Sequence, residues 1–238
     1  MRDILFMRKY PTALARGRMQ ALWKTGHSIF GEGQAEIIAG HRVIFFFSGY
    51  GTRIRTIPSA IVRDINNGTI SDVIDVGAGG ALDPALKVGD LVLSGGEVNI
   101  DGSVLPTQRR RDEVAGIVKA IADESRCGFY QQRILTSRRV VAGRAERLRL
   151  YEETGAGVVQ MEHYWFVDRL KSLVTAEAFA ALHMTHVELV ADAVPGAQAS
   201  RFERMNMALR AFDICVLRND QHLGRLKTRL LFELLASQ

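Results

Sequence analysis

The feature that most limits how this chain can fold is a glycine cluster directly after a short run of β-branched residues. Residues 73–76 are mainly apolar and predict a buried strand. Gly77, Gly79 and Gly80 then predict the end of that strand, because glycine tolerates positive φ and lets backbone N–H groups approach a ligand. Open α/β sheets bind ligands in the crevice at the ends of such strands. The cluster therefore predicts a ligand site, although these residues alone fit an ordinary strand–turn–strand equally well.

The rest of the chain alternates between segments that favour strands and segments that favour helices. The predicted strands cover residues 4–7, 35–38, 42–47, 72–76, 91–93, 133–136, 157–161 and 186–190. The predicted helices cover residues 12–23, a segment that ends near 65, 109–125, 142–154, 162–173, 175–182 and 201–235. This alternation predicts one α/β domain over residues 1–238, with a mixed or largely parallel sheet covered by helices on both faces. The basic helical stretch from residue 201 forms the C-terminal tail of that domain.

The charge balance does not require a nucleic-acid partner. The formal net charge is +5 and the sequence pI is near 9.5, an excess that would suit an anionic ligand or a nucleic acid. However, the arginines are scattered over helical segments without interleaved aromatic residues. A solvated basic face is therefore the better interpretation, and no nucleic-acid partner is expected.

Cysteine usage and the lengths of the apolar runs predict a cytoplasmic protein. Cys127 and Cys215 are the two cysteines, and no CxxC or Cys/His spacing suggests zinc, so no metal is expected. A pair of cysteines does not build a disulfide framework, which favours a reducing compartment. The N-terminus carries Asp3 and too short an apolar run for a signal peptide. No apolar run approaches the roughly 18 residues of a membrane span, so no membrane span is expected.

Two of the predicted strand ends suit an anion. Arg8 places positive charge after the first strand. Gly49 and Gly51 lie in a glycine turn between a strand and a helix, where backbone N–H groups and the helix N-terminus can bind an anion. An isolated turn of this kind is more often only a turn, so that interpretation stays open.

Two other strand ends carry a carboxylate. Glu162 directly follows the strand 157–161, and in a parallel strand it would face the crevice and accept hydrogen bonds from two vicinal sugar hydroxyls. It would equally suit the first turn of a helix, where the macrodipole favours an acid. Asp192 follows the strand 186–190, where a partly buried aspartate can hold a raised pKa and donate a proton to a leaving group. An N-cap or a turn before Pro195 is the competing interpretation.

Four segments, in this order, resemble the nucleoside phosphorylase superfamily, which includes purine nucleoside phosphorylases and methylthioadenosine/adenosylhomocysteine nucleosidases. The segments are residues 48–51, 76–84 with 87–90, 155–162 and 190–192. The second and third segments are the specific ones, and the resemblance covers the chain from about residue 40 to residue 195. It implies a three-layer α/β/α sandwich around a mixed, mostly parallel central sheet. It also implies a homo-oligomer that binds a small-molecule nucleoside.

The resemblance further implies roles for individual residues. Met161 and Glu162 would hold the ribose, with Glu162 on its 2′- and 3′-hydroxyls, and Asp192 would protonate or hydrogen-bond the departing purine. Val140 and Val141 would line the base pocket. The residues expected around phosphate or a water nucleophile are Arg8, Gly49, Gly51, Gly77, Ala78 and Gly79.

The chain departs from the family pattern at several of these places. Ala191 stands where the family usually has a serine that orients the aspartate, and Ala78 replaces the usual serine or threonine at the nucleophile site. Nucleosidases carry a water-activating glutamate after the first strand, whereas residues 8–10 here read Arg-Lys-Tyr. Residues 163–165, His-Tyr-Trp, are bulkier than is common after the glutamate.

The sequence therefore leads to one hypothesis and two alternatives. The leading hypothesis is phosphorolysis of a purine nucleoside or a 5′-substituted adenosine, with inorganic phosphate as co-substrate and no other cofactor. Arg8 motivates the choice of phosphate. The alternatives are a hydrolytic nucleosidase of the same superfamily and a member that binds nucleosides without catalysis. Ala78 and Ala191 motivate the inactive alternative.

Overall fold

The computed structural model of the chain describes residues 3–8, 35–38, 41–47, 49–50, 53–54, 56–105 and 109–196, together with 226, 229, 230, 232–234 and 236. The strands in this part are β1 (Asp3–Arg8), β2 (Ala35–Ile38), β3 (His41–Phe47), β4 (Gly49–Tyr50), β5 (Arg53–Ile54), β6 (Ile70–Ala81), β7 (Leu91–Asn99), β8 (Phe129–Thr136), β9 (Ala156–Gln160) and β10 (His183–Asp192). The helices are α1 (Ser59–Asn66), α2 (Glu113–Ser125), α3 (Arg144–Thr154), α4 (His163–Leu173) and α5 (Ala176–Ala181).

These elements confirm the predicted alternation of strands and helices. Each strand and helix predicted between residues 56 and 196 is present, and most of their ends shift by a few residues. Gly68 follows α1 with φ of +74°, the left-handed conformation that favours glycine after a helix. The predicted helix at 12–23 lies outside the described residues, as does most of the predicted C-terminal helix. The described residues of that tail are helical.

Eight strands form one mixed sheet in the order β10-β7-β8-β9-β6-β1-β3-β2. Of its eight strand pairings, five are parallel and three are antiparallel, which confirms a mixed, mostly parallel sheet. Strand β10 also pairs with β6. This pairing closes β6, β9, β8, β7 and β10 into a five-stranded barrel, from which β1, β3 and β2 extend as an open sheet.

The interior of the barrel is a small apolar core. Each of the five barrel strands contributes one buried residue to it, and the loop after β6 adds another. The residues are Ala81, Val92, Ile134, Val158 and Val190 from the strands and Leu86 from the loop. Interior side chains of a barrel this small fill the space between the strands.

The closed barrel corrects the expectation of a three-layer sandwich. Helices do cover the sheet, but five strands curve into a ring instead of forming one open layer. The cause is β6, which runs from Ile70 through the glycines to Ala81 and does not end at Gly77. Its first residues pair with β1 and β10, and its last residues pair with β9 and β10. One long strand therefore belongs to both the open sheet and the barrel.

The glycines of β6 make this crossing possible because neighbouring atoms occupy the space of a side chain. A Cβ atom on Gly79 would lie 2.5 Å from Cγ1 of Val158 and 2.7 Å from the carbonyl oxygen of Val159. A Cβ atom on Gly80 would lie 2.7 Å from Oδ1 of Asp192. Glycine inside a strand often marks such a close approach of another segment. Here the glycines let β9 and β10 pack against the end of β6.

Two apolar clusters attach four of the helices and the C-terminal tail to the sheet. The first packs α2 and the C-terminal tail against the barrel strands, and in the tail Leu226, Leu230 and Leu234 repeat every four residues along one face. The second packs α1, α4 and α5 against β1, β3 and the start of β6. The buried residues of α2 also follow one helical face: Val114, Val118, Ile121 and Ala122.

Replacing Gly79 with alanine is expected to destabilise the fold, because the new methyl group would overlap the backbone of Val159, which cannot move cheaply. We expect a loss of about 1–3 kcal/mol in the free energy of unfolding, measured by urea denaturation. The control is Gly116→Ala in α2, where an added Cβ meets nothing within 4 Å. This control should be neutral or stabilising by up to about 1 kcal/mol. Equal unfolding free energies for the two variants would contradict the packing role of Gly79.

Candidate active site

Strands β1 and β9 pair with different stretches of the same edge of β6. Strand β1 pairs with β6 as far as Asp75, whereas β9 pairs with β6 from Gly80 onward. Residues 76–79 of β6 lie between these two points. We call the space between the ends of β1 and β9 the β1–β9 gap.

The β1–β9 gap brings together most of the residues predicted for phosphate and ribose. Arg8 is the last residue of β1, and residues 77–79 form the segment of β6 beside the gap. Strand β9 runs antiparallel to β6, so its C-terminal end points back toward the end of β1. Met161 and Glu162 directly follow that end. The register thus places a predicted anion-binding residue and the predicted ribose-binding pair at the same gap.

Side chains from β8 and β9 hold the start of α4. Gln160 Oε1 accepts hydrogen bonds from the backbone N–H groups of Glu162 at 2.6 Å and His163 at 3.0 Å. Thr136 Oγ1 accepts a hydrogen bond from the backbone N–H of Tyr164 at 3.2 Å. The Gln160 side-chain amide donates to Thr136 Oγ1 in turn. These bonds satisfy N–H groups that the first turn of a helix leaves open, and they fix the backbone at Glu162.

Glu162 is buried where β9 meets α4. Its side chain is 4% exposed, and its Oε2 atom accepts a hydrogen bond from the backbone N–H of Met161 at 3.2 Å. A carboxylate at a helix N-terminus is also favoured by the helix macrodipole. Glu162 therefore lies beside the β1–β9 gap and also at the start of a helix, as both interpretations of the sequence expected.

Asp192 ends β10 and forms an ion pair with Arg147 of α3. The Arg147 side chain is 4% exposed. Its guanidinium also donates hydrogen bonds to the backbone oxygens of Val141 at 2.9 Å, Ala81 at 3.2 Å and Ala193 at 3.2 Å. An arginine fixed by this many bonds orients the Asp192 carboxylate.

The strands that lead to the two predicted carboxylates flank β6 at Gly80 from opposite edges. Gly80 pairs with Val159 of β9 on one side and with Asp192 of β10 on the other. Two strand spacings put the backbones of β9 and β10 about 10 Å apart at this level. The two carboxylates have different partners: Asp192 binds Arg147, and Glu162 accepts a hydrogen bond from the backbone N–H of Met161.

The residues predicted from the second glycine turn and for the base pocket differ in structure and in burial. Gly49 belongs to β4 and pairs with Ile54 in a small antiparallel hairpin, and Gly51 lies outside the described residues. Val140 is 70% exposed, whereas Val141 is 3% exposed. Val141 packs in an apolar cluster with α3 and strands β7 to β9. The two valines predicted for the base pocket therefore differ sharply in burial.

A second group of polar residues is buried beside Glu162. Asp75 of β6, Glu97 of β7, His163 of α4, and His186 and Glu188 of β10 are each at most 4% exposed. We call these five residues the His–carboxylate cluster. The imidazole rings of its two histidines stack with their centroids 3.8 Å apart.

Hydrogen bonds connect the His–carboxylate cluster. His163 Nδ1 lies 2.9 Å from Asp75 Oδ2. His186 Nδ1 lies 2.7 Å from Glu97 Oε1, and His186 Nε2 lies 2.8 Å from Glu188 Oε1. Both ring nitrogens of His186 therefore face a carboxylate, an arrangement that favours the protonated imidazolium.

The charges of the cluster shift the pKa values of two members in opposite directions. Burial alone would lower the pKa of the His186 imidazole, but the carboxylates of Glu97, Glu188 and Asp75 outweigh it and raise the pKa to about 10. Burial alone would raise the pKa of the Glu97 carboxyl, but His186 and His163 outweigh it and hold the pKa below its usual range.

A cavity of about 480 Å³ reaches this cluster from the surface. Glu97, His163 and His186 contribute to its wall. Arg110 and Arg111 lie in the same wall, and each is held by other groups. Arg111 forms two hydrogen bonds to the Asp72 carboxylate at 2.6 and 2.7 Å. Arg110 donates to the backbone oxygen of Ser94 at 3.0 Å. The other lining residues are Ser94, Gly95, Gly96, Asp112, Gln131 and Met184.

Sequence reasoning missed Arg147 and the His–carboxylate cluster. Arg147 is one of several arginines in α3, and only its burial separates it from the rest. The cluster did leave a signal, because Asp75 and Glu188 interrupt runs that otherwise predict buried strands. A charged residue inside such a run needs a partner, and the partners His163 and His186 come from distant parts of the chain.

Among the helices of the described residues, none combines the length and the apolar character that a membrane span requires. No protein-family model matches the chain, and no curated protein matches it.

Solved structures do match, over nearly the full chain. The S-adenosylhomocysteine nucleosidase of Streptococcus pyogenes, in complex with 5-methylthiotubericidin, has a TM-score of 0.66 at 16% identity, covering 99% of this chain and 97% of that one. The 5′-methylthioadenosine/S-adenosylhomocysteine nucleosidase of Campylobacter jejuni has a TM-score of 0.65 at 12% identity and covers 100% of both chains. The futalosine hydrolase of Helicobacter pylori has a TM-score of 0.60 at 15% identity and covers 98% of both. At these identities, the likeness establishes a shared fold.

Replacing Arg147 with methionine is expected to destabilise the chain, because it removes four hydrogen bonds and leaves Asp192 without its cation. We expect a loss of roughly 3 kcal/mol in the free energy of unfolding, measured by urea denaturation. The control is Arg149→Met on the same helix, whose side chain is 56% exposed and pairs with Glu153. An exposed pair contributes about 0–1 kcal/mol. A loss of similar size in both variants would contradict a structural role for Arg147.

Proposed function

Because the chain has the fold of the nucleoside phosphorylase superfamily, we propose that it cleaves the N-glycosidic bond of a purine nucleoside or a 5′-substituted adenosine by hydrolysis. The observation that carries this proposal is the β1–β9 gap, where Met161 and Glu162 follow the end of β9, and the end of β1 points toward them beside residues 77–79 of β6. The similar solved structures are nucleosidases and a hydrolase, which favours water over phosphate as the nucleophile.

Glu162 would bind the sugar during this reaction. Breaking a ribosyl C–N bond develops positive charge on the sugar, and a carboxylate that accepts hydrogen bonds from the 2′- and 3′-hydroxyls stabilises that charge. The hydrogen bond to Gln160 holds the backbone of Glu162, and the one to Thr136 holds the backbone of Tyr164, before substrate arrives. Such preorganisation lets the interaction act in the transition state without further rearrangement.

Asp192 would act on the departing purine. Its Oδ2 atom is bound to Arg147, and its Oδ1 atom faces the backbone of Gly80, where the absence of a side chain leaves room. Arg147 would therefore orient the carboxylate toward the base. The Asp192 carboxylate would accept a hydrogen bond from the N–H of the protonated purine, which favours departure of the base as a neutral species.

Phosphorolysis is a second candidate, favoured by the position of Arg8. A cationic residue at the end of β1, beside a glycine-containing segment, suits a phosphate co-substrate. Ala78 offers no hydroxyl to either nucleophile. The two candidates differ in one measurable respect, because only phosphorolysis requires phosphate.

The test is release of free base with and without phosphate. We expect the purified chain to release adenine from 5′-methylthioadenosine or S-adenosylhomocysteine in phosphate-free buffer, with the products separated by chromatography. Futalosine and adenosine complete the panel. Base release that depends on phosphate and yields ribose 1-phosphate would favour phosphorolysis. Calorimetric binding of these nucleosides without turnover would reject the enzyme and favour the inactive alternative.

The variants Asp192→Asn and Glu162→Gln are expected to lower kcat/KM by on the order of 10²–10⁴, because each removes a charge that acts on the reacting nucleoside. The matched control is Asp168→Asn, an exposed carboxylate on α4, which should keep the activity of the unmodified chain. Thermal denaturation of each variant separates lost chemistry from lost folding. Unchanged kcat/KM in folded Asp192→Asn would rule out the proposed role of this residue.

A further inference from the structure

The His–carboxylate cluster contains a set of potential metal ligands, although the sequence shows no metal-binding spacing. Asp75, His163 and His186 each offer one ligand atom, and these atoms all lie within 4.8 Å of one another. Asp75 Oδ2 is 2.9 Å from His163 Nδ1 and 3.6 Å from His186 Nε2. Ligands of one tetrahedral Zn²⁺ ion lie about 3.3 Å apart, from metal–ligand distances near 2.0–2.1 Å. These two separations bracket that value.

A fourth group points to a cation independently of that geometry. Glu97 is buried, and its Oε2 atom has no hydrogen-bond partner among the described residues. Its Oε1 atom lies 2.7 Å from His186 Nδ1 and 3.9 Å from His163 Nε2, so this carboxylate belongs to the same cluster. A buried carboxylate oxygen without a partner is costly, and a nearby cation would offset that cost.

The cavity gives an ion a route to these ligands. Its wall includes Glu97, His163 and His186, and its volume is about 480 Å³. Arg110 and Arg111 in the same wall are held by Ser94 and Asp72. The guanidinium groups of these two arginines therefore bind partners other than the Glu97 carboxylate.

We propose that Asp75, His163 and His186 bind a divalent first-row transition-metal ion such as Zn²⁺, with Glu97 beside it as a further oxygen ligand. Two imidazoles and a carboxylate suit ions of this class, whereas Mg²⁺ and Ca²⁺ favour oxygen ligands only. Ligation through Nε2 of His186 replaces its hydrogen bond to Glu188 and releases the Nε2 proton to solvent, because a metal-bound imidazole is neutral.

An ion at this place would join three elements that also form the candidate active site. Asp75 is in β6, His186 is in β10, and His163 is the first residue of α4 and follows Glu162 directly. The ion would thus hold the start of α4 against the barrel. This inference does not depend on the proposed nucleosidase activity, because it concerns binding and stability.

The experiment is calorimetric titration of the EDTA-treated, dialysed chain with Zn²⁺. We expect about one equivalent to bind, and the thermal denaturation midpoint to rise with it, because the ion binds the folded state. Asp75→Asn and His163→Gln should weaken this binding by at least about tenfold. The matched control is His183→Gln, which changes an imidazole of the same strand that lies 3.8 Å from Asp72. This control should keep the affinity of the unmodified chain.

A measurement on the unmodified chain keeps the test decisive if the variants fail to fold. Crystals soaked in Zn²⁺ should show an anomalous-scattering peak within about 2.0–2.2 Å of ligand atoms of Asp75, His163 and His186. No Zn²⁺ uptake by the unmodified chain would overturn the proposal. A peak at other residues, or folded His163→Gln that binds Zn²⁺ as tightly as His183→Gln, would overturn it as well.

Discussion

The pairing of β10 with β6 is the interaction on which the rest of this structure depends. It closes five strands into a barrel and places the end of β10 against the glycine segment of β6. The approach is possible because Gly79 and Gly80 carry no side chains where Val159 and Asp192 lie. A Cβ atom on Gly79 would overlap the backbone of Val159, and a Cβ atom on Gly80 would displace the Asp192 side chain. The glycines therefore act through packing inside a strand, and their effect on function follows from the arrangement of β9 and β10.

Closure of the barrel has two consequences for the candidate active site. Strands β1 and β9 meet β6 at different levels, which leaves the β1–β9 gap beside residues 77–79. The end of β10 lies across β6 from that gap, so Asp192 and Glu162 flank one segment. The ion pair with Arg147 of α3 then fixes the Asp192 carboxylate, and a hydrogen bond to Gln160 Oε1 fixes the backbone of Glu162. The site is held by buried polar contacts, whose partial loss is costly in a low-dielectric interior.

The local pattern of the sequence predicted the elements well, and long-range pairing explains where it failed. Local segment preferences identified α2 and α4 and placed the end of α1 near residue 65. The same local reasoning ended β6 at Gly77, because a glycine cluster normally breaks a strand. Pairing with β9 and β10 supplies the hydrogen bonds that carry the strand on to Ala81. Only partners distant in sequence could supply them.

The sequence by itself determined the order of strands and helices, the superfamily resemblance and the position of Glu162 and Asp192 at the ends of strands. These are local properties, set by side-chain periodicity and by short motifs around each residue. Tertiary structure alone decided that the sheet closes, that Arg147 binds Asp192, and that five polar residues from β6, β7, α4 and β10 share one buried cluster. The reason is physical: burial and pairing depend on which distant segments meet, and no local pattern encodes that choice.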